Sequence, residues 1–236
     1  MKIEFLFPEL ANQFGEIGHQ RFLRQLFPHA EVICTQLLQK PAFLEEKVDL
    51  IYMGPSSETA QEKIINVLMP YKDGVRERIE EGDHFLFIGN AMEVLGTSIL
   101  QEDGEAIEAL DIFPMQARRQ MMNRLTDLYV GIYDELKVTG VKSQFTQNYP
   151  KDEEAFPYLF HTLRGFGMHQ GISGEGIHYH NFVATYLTGP LLIMNPLFTE
   201  RLLGEWGLSA EIPHKKTLVE AYTIRLAEYE NPQSYT

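Results

Sequence analysis

The stretch His84-Phe85-Leu86-Phe87-Ile88-Gly89-Asn90-Ala91-Met92-Glu93-Val94-Leu95-Gly96 decides how the chain is read. Its first part is an apolar run of strand length, and Gly89 punctuates it before a second apolar stretch. Apolar strands without polar alternation belong to parallel sheets covered on both faces. Working back toward the start, residues 3–7, 31–35 and 48–53 are further strand-like runs. Between them, residues 19–27 read as a helix with Phe22, Leu23 and Leu26 on one face. Before residue 84 comes a longer helix. Thr59 and Glu62 have capping-box spacing, Ile64, Leu68, Tyr71, Val75 and Ile79 recur at helical steps, and Gly82 ends it. This β-α-β-β-α-β order predicts an α/β fold with a mostly parallel sheet flanked by helices.

Toward the carboxyl end the pattern loosens. Residues 100–111 are acidic and read as a surface excursion. Residues 125–133, 138–145, 158–163 and 177–187 read as strands, several with polar alternation. Residues 196–206 predict a helix with proline in its first turn, and Val219, Tyr222, Leu226 and Tyr229 mark a last one. No repeat, low-complexity segment or linker interrupts the chain, so residues 1–236 read as a single domain.

Composition narrows the function. A net charge of −13 argues against a nucleic-acid partner, because phosphate binding needs a surplus of Lys and Arg. No apolar run nears the roughly 20 residues that span a bilayer, so no membrane partner is expected. The opening residues, with Glu4 and Glu9, read as a first strand and not as a signal peptide. A single cysteine, Cys34, excludes an intramolecular disulfide and fits the reducing cytoplasm.

Three turns are candidates for chemistry. They are Gly54-Pro55-Ser56-Ser57, the Gly89–Gly96 segment, and Tyr186-Leu187-Thr188-Gly189-Pro190-Leu191-Leu192. In an open α/β sheet, ligands bind outside the carboxyl ends of the strands, where the first two turns should lie. Glycine is also ordinary in strand-to-helix turns, so each alone is weak.

Together they resemble the class I glutamine amidotransferase domains of cobyric acid synthase. The glutaminase subunit of lipid II isoglutaminyl synthase is more similar still. Asn12-Gln13-Phe14-Gly15-Glu16 stands where the family has a Leu-Tyr-Gly-Asp-like turn. Val48-Asp49-Leu50-Ile51-Tyr52-Met53-Gly54 looks like the strand and glycine turn that supply an oxyanion amide. Ile88 to Gly96 is similar to the nucleophile elbow, with Gly89 at the cysteine position. Ala184 to Leu192, followed by Asn195-Pro196, is similar to the late motif, with Thr188 at the histidine position. Glu175-Gly176-Ile177-His178-Tyr179-His180-Asn181 looks like the family's Glu-Gly-Val-x-Tyr-x-Asn.

The resemblance implies a flavodoxin-like three-layer fold. It also implies a mechanism in which the cysteine attacks the glutamine amide and the histidine moves the protons. Gly89 has no side chain to attack with, and Thr188 has no imidazole. The expectation is a protein without glutaminase activity, without cofactor or metal. Gly54, Asn90, Glu93 and Asn181 are its candidate ligand-binding residues. By resemblance, its partner would be a Mur-ligase-like or other synthetase subunit in cell-wall or cofactor amidation, and its ligand glutamine or a related small molecule. The alternatives are a stand-alone amino-acid sensor, or an active amidotransferase or hydrolase with a different catalytic constellation. An elbow nucleophile sits on a strained turn, so Gly89 is expected at positive φ.

Other residues have plainer readings. Cys34, within a strand run, is expected to be a buried small hydrophobe. His161, His169, His178 and His180 are expected to be solvated or hydrogen-bonded. Only His178 and His180 would share a strand face, short of the ligand number a zinc site needs. Ser56 or Ser57 is expected to cap the following helix. Glu93 suits a helix start through the dipole. Arg118 and Arg119 read as a solvated pair, with a carboxylate ligand as the alternative.

Overall fold

The computed structural model describes residues 1–234. Its first half runs β1 (Lys2–Leu6), α1 (Ile17–Leu26), β2 (Glu31–Thr35), β3 (Leu50–Met53), α2 (Glu58–Leu68), α3 (Lys72–Glu80) and β4 (Phe85–Ile88). A 3-10 turn over Gly89–Leu95 follows, then short strands β5 (Ser98–Leu100), β6 (Ala106–Glu108) and β7 (Met115–Arg119). Next come β8 (Leu125–Tyr133), β9 (Leu136–Gln144), β10 (Thr146–Pro150), β11 (Phe160–Arg164) and β12 (Gly174–Glu175). The chain closes with β13 (Ile177–Tyr179), β14 (Phe182–Thr185), α4 (Leu191–Met194), α5 (Pro196–Glu205) and α6 (Lys215–Glu230).

The central sheet has the order β13-β14-β4-β3-β1-β2, parallel throughout except at β13. Its central strands β3 and β4 are apolar on both faces because both are covered. Leu86, Ile88, Leu50 and Tyr52 pack with α1, α4 and α5, while Phe85, Phe87, Ile51 and Met53 pack with α2 and α3. This period of two is the geometry of a strand, and it sorts the core into two layers. A second sheet (β10-β7-β5-β6) extends the α2 layer through Ile99, Met115 and Ala117. A third (β12-β11-β8-β9) extends the opposite layer through Tyr129, Val138 and Phe160.

Several sequence expectations are corrected. The helix predicted after residue 59 is two helices, because Pro70 lies in a 3-10 turn between them and has no N–H to give. Its cap is Ser57, whose hydroxyl accepts the Ala60 N–H at 3.3 Å, and not the Thr59–Glu62 box. Cys34 is exposed on β2 at the sheet's edge, beside the Arg24 guanidinium at 3.8 Å. The run 177–187 is a hairpin, since His180 adopts φ 51° between β13 and β14. His178 and His180 therefore do not share a strand face. His178 lies against Tyr133, and His180 lies beside Glu80. The acidic excursion turns out to be the β5–β6 hairpin, with Leu110 buried at its foot. No helix among the described residues is long and apolar enough to cross a membrane.

Buried Glu4, which interrupts the apolar start, has a local purpose. Its carboxylate accepts the Thr35 hydroxyl and the amides of Ala42 (2.7 Å) and Phe43 (2.8 Å). It thereby satisfies the otherwise orphaned first turn of a 3-10 helix.

Candidate functional site

At the carboxyl edge of the central sheet five segments enclose a cleft. The turn after β1 contributes Gln13 and Phe14, and the turn after β3 contributes Pro55 and Ser56, continued by Glu58 at the start of α2. The elbow after β4 gives Gly89, Asn90 and Glu93; the end of β9 and the next turn give Ser143, Gln144, Phe145 and Thr146; the loop after β14 gives Tyr186 and Thr188. The enclosed space is roughly 100 Å³, room for several water-sized groups.

Gly89 has φ +66°, the left-handed region that glycine adopts without penalty. A Cβ at this position would lie 2.7 Å from Pro55 Cβ, closer than carbon atoms approach. Backbone strain and the packed proline thus act together. Gly89→Ala is expected to lower the unfolding free energy by about 2 kcal/mol or more. Urea denaturation checks this, and an unchanged midpoint would mean that the two turns part freely.

Asn90 is committed to the protein. Its side chain accepts the Ser56 N–H at 2.9 Å and donates to the Ser56 carbonyl at 2.8 Å, stitching the elbow to the β3 turn. Thr188 donates its hydroxyl proton to the Val141 carbonyl at 3.0 Å. Gly54 stands behind the cleft, where a Cβ would lie 2.5 Å from the Ala11 carbonyl oxygen, so it lets two turns approach. The structure does not bring Asn181 to the site. It lies at the opposite edge of the sheet, where its amide donates to the Gly82 carbonyl at 2.6 Å and holds the β13–β14 turn.

Glu93 is strongly perturbed. It is 1% exposed, accepting the Tyr186 hydroxyl at 2.7 Å and the Gln61 amide at 2.9 Å. Burial pushes its carboxyl up to about 7, against the opposing pull of the Gln61 and Tyr186 hydrogen bonds and the Arg119 charge. Between pH 4.5 and 7 the unfolded chain has released this proton while the folded chain retains it. Stability is therefore greatest at the acid end for this group and falls as pH rises, levelling above pH 7. The loss expected is about 3 kcal/mol at most. Comparing denaturation of the parent and Glu93→Gln proteins from pH 5 to 8 checks it. Equal slopes would remove Glu93 as the source.

Arg119 was expected in a solvated pair but is buried, because β7 alternates faces and sends only Arg118 outward. Arg119 donates to Gln61 and Glu62, both at 2.8 Å, and so anchors the network that holds Glu93. Arg118 instead lies 4.3 Å from the Tyr149 ring centre, in a separate groove.

Sequence reasoning passed over several site residues. Gln61 sat unremarked in a helix pattern, and Gln144 at a strand end. At the mouth, the exposed Arg124 guanidinium lies 5.7 Å from the Phe14 ring centre and 5.4 Å from that of Phe145. Glu16 and His19 form a buried pair behind the cleft. Glu16 also accepts the Gly189 N–H at 3.1 Å, and His19 Nε2 accepts that of Leu192 at 3.2 Å. Both ring nitrogens are thereby occupied, so this pair pins the loop after Thr188 and leaves no nitrogen to serve as a base. Among the described residues no group of three or more His, Cys, Asp or Glu is placed to hold a metal.

The model of the CobB/CobQ-like glutamine amidotransferase domain matches residues 23–195. Subunit GatD of the lipid II isoglutaminyl synthase (glutamine-hydrolyzing) of Staphylococcus aureus (strain N315) is 28% identical over 194 residues, covering 81% of this chain and 78% of its own. The GatD subunit of Streptococcus pneumoniae (strain ATCC BAA-255 / R6) is 24% identical over 224 residues, covering 90% and 85%. A solved glutamine amidotransferase superposes with TM-score 0.58 at 16% identity, over 87% of this chain and 99% of that one. A second, from Thermotoga maritima, gives 0.51 at 11% identity, over 98% and 86%. The two solved structures bear on the fold, which agrees with the α/β layers described above. With most of its length matched by the domain model, this chain belongs to the family of CobB/CobQ-like glutamine amidotransferase domains.

Proposed function

We propose that this chain is a glutamine amidotransferase-like subunit that does not hydrolyse glutamine and acts as a binding or partner subunit of a synthetase, of the Mur-ligase-like kind. The observation that carries the reading is Gly89 at φ +66° with Pro55 packed where a nucleophile's Cβ would stand. The base position supports it, since Thr188 has no imidazole and its hydroxyl proton is spent on Val141. The turn after β3 supports it as well. Pro55 has no N–H, and the next amide, that of Ser56, is occupied by Asn90. Removing nucleophile and base together costs such a hydrolase on the order of 10⁶-fold in turnover. Losing one oxyanion donor costs about 10²–10³-fold. The partner role rests on the two relatives, whose names make each of them one subunit of a synthase.

The test has two arms. Gentle purification from the native cells should recover a stoichiometric synthetase-like protein, and the complex should release no ammonia from L-glutamine above a no-protein control. Ammonia release that a cleft substitution abolishes would overturn the inactive reading. The absence of any partner, in a preparation that preserves known complexes, would overturn the subunit reading.

A further inference from the structure

Arg118 takes no part in the cleft, yet its exposed side chain is held in place. Gln116 and Arg118 leave β7 on its outward face, and β10 runs antiparallel beside them with Tyr149 opposite Gln116. Tyr149 is thus the diagonal neighbour of Arg118, within reach of a long side chain. The Arg118 guanidinium lies 4.3 Å from the Tyr149 ring centre, and its Nε–H is donated to the Gln116 side-chain oxygen at 3.2 Å. Both supports are themselves braced. The Gln116 amide donates to the Ser98 hydroxyl at 3.2 Å. The Tyr149 ring stacks on His169 with centres 4.4 Å apart, and His169 is fixed between the Gln170 carbonyl (2.8 Å) and the Glu153 carboxylate (3.0 Å).

With its face and its Nε engaged, the guanidinium keeps both Nη groups. Neither makes a hydrogen bond or ion pair among the described residues. An ordinary surface arginine loses rotamer freedom when it binds a ligand, whereas this one has lost it already on folding. It presents a planar fork, the shape that takes two oxygens of a carboxylate or phosphoryl group at once. Lys151 lines the same groove of roughly 330 Å³, which Pro114 and Pro150 help to wall, and no carboxylate lines it. Asp152, Glu153 and Glu154 belong to the adjoining surface, where Asp152 accepts the Glu154 and Ala155 amides and Glu153 faces His169. In a chain with 33 acidic residues against 20 Lys and Arg, a groove with two cations and no acid reverses the sign of the surface as a whole.

We infer that this groove is a second ligand site, separate from the cleft, for an oxyanion: a carboxylate or phosphoryl group seated on the two Nη groups of Arg118, with the Lys151 ammonium as a further contact. The inference does not depend on whether the cleft hydrolyses glutamine.

Titration calorimetry of the full chain with succinate, phenyl phosphate and n-propylammonium tests it. Saturable binding of at least one anion, and none of the cation, is the expected result, and the tighter anion tells which oxyanion the fork prefers. Arg118→Lys keeps the charge but removes the fork, and should weaken binding about tenfold. Tyr149→Leu keeps both charges but frees the guanidinium, and binding about threefold weaker is expected. Lys151→Gln should also weaken it about threefold. Circular dichroism establishes that each variant is folded, and Lys151, being exposed, keeps the test alive if Tyr149→Leu is not. Arg124→Gln, at the cleft mouth, should leave the binding unchanged. In proton–nitrogen spectra the Arg118 Nε–H signal, identified by its absence from Arg118→Lys, should shift as the anion is added. Failure of both anions to bind, equal binding of the cation, binding that the folded groove variants leave unchanged, or binding lost in Arg124→Gln instead would overturn the inference.

Discussion

Restoring the two missing catalytic side chains is expected to leave the protein inactive. Gly89→Cys with Thr188→His supplies a thiol and an imidazole, yet the new Cβ must occupy space held by Pro55. In the β3 turn Pro55 has no N–H and the Ser56 amide remains bound to Asn90. Adding Pro55→Gly removes the steric block and returns an N–H to the turn. The triple variant is expected to release ammonia from L-glutamine at least about 10²-fold faster than the double variant, the scale of one oxyanion donor. A coupled glutamate assay on the three proteins measures this. Turnover by the double variant equal to that of the triple would show that Pro55 is irrelevant to the loss.

The largest stability effect is expected at Lys142 and Glu175, fully buried beside the strand that leads to Tyr186. The Lys142 ammonium lies 3.6 Å from the Glu175 carboxylate and donates to the carbonyls of Phe166 (3.1 Å) and Gly167 (2.5 Å). It also lies 4.5 Å from the Phe166 ring centre. Burial pulls its acidity to about 8, with the Glu175 charge opposing, so it stays largely protonated at neutral pH. Glu175 in turn accepts the Thr185 hydroxyl at 2.6 Å and the Tyr186 N–H at 2.9 Å. Lys142→Met strands a buried carboxylate, and a loss of about 3–5 kcal/mol is expected. Lys142→Met with Glu175→Gln removes both charges and should lose less than the sum of the single changes. Strict additivity in a double-mutant cycle would show that the pair is not coupled.

How much of this was legible in advance depends on where each residue's partners lie. The central sheet could be read because its strands are continuous apolar runs, and Phe85 to Ile88 is unmistakable. The strands β7 and β10 could not, since Met-Gln-Ala-Arg-Arg and Thr-Gln-Asn-Tyr-Pro carry polar residues that only their mutual pairing explains. The positive φ at Gly89 followed from the elbow frame. That Pro55 fills the space beside it did not, because nothing local says that two turns separated by a helix pair will touch. Asn181 sat within a family-like motif, yet it serves a turn at the far edge, where the hairpin reversal at His180 places it. Arg119 became meaningful only when the strand's alternation turned it inward toward Gln61.

The strand order has a consequence for the protein as it is made. β4 pairs on one side with β3, which is already synthesised, and on the other with β14, where Phe85 faces Phe182. Roughly 100 residues separate these partners, and at about 5–20 residues per second the ribosome needs on the order of 5–20 s to deliver the second. During that interval the wholly apolar strand Phe-Leu-Phe-Ile presents an unpaired edge, the template on which chains stick to one another. The nascent protein is most exposed to aggregation at this stage. A chaperone holding the chain until residue 185 has emerged would raise the folded yield more than one acting only after release.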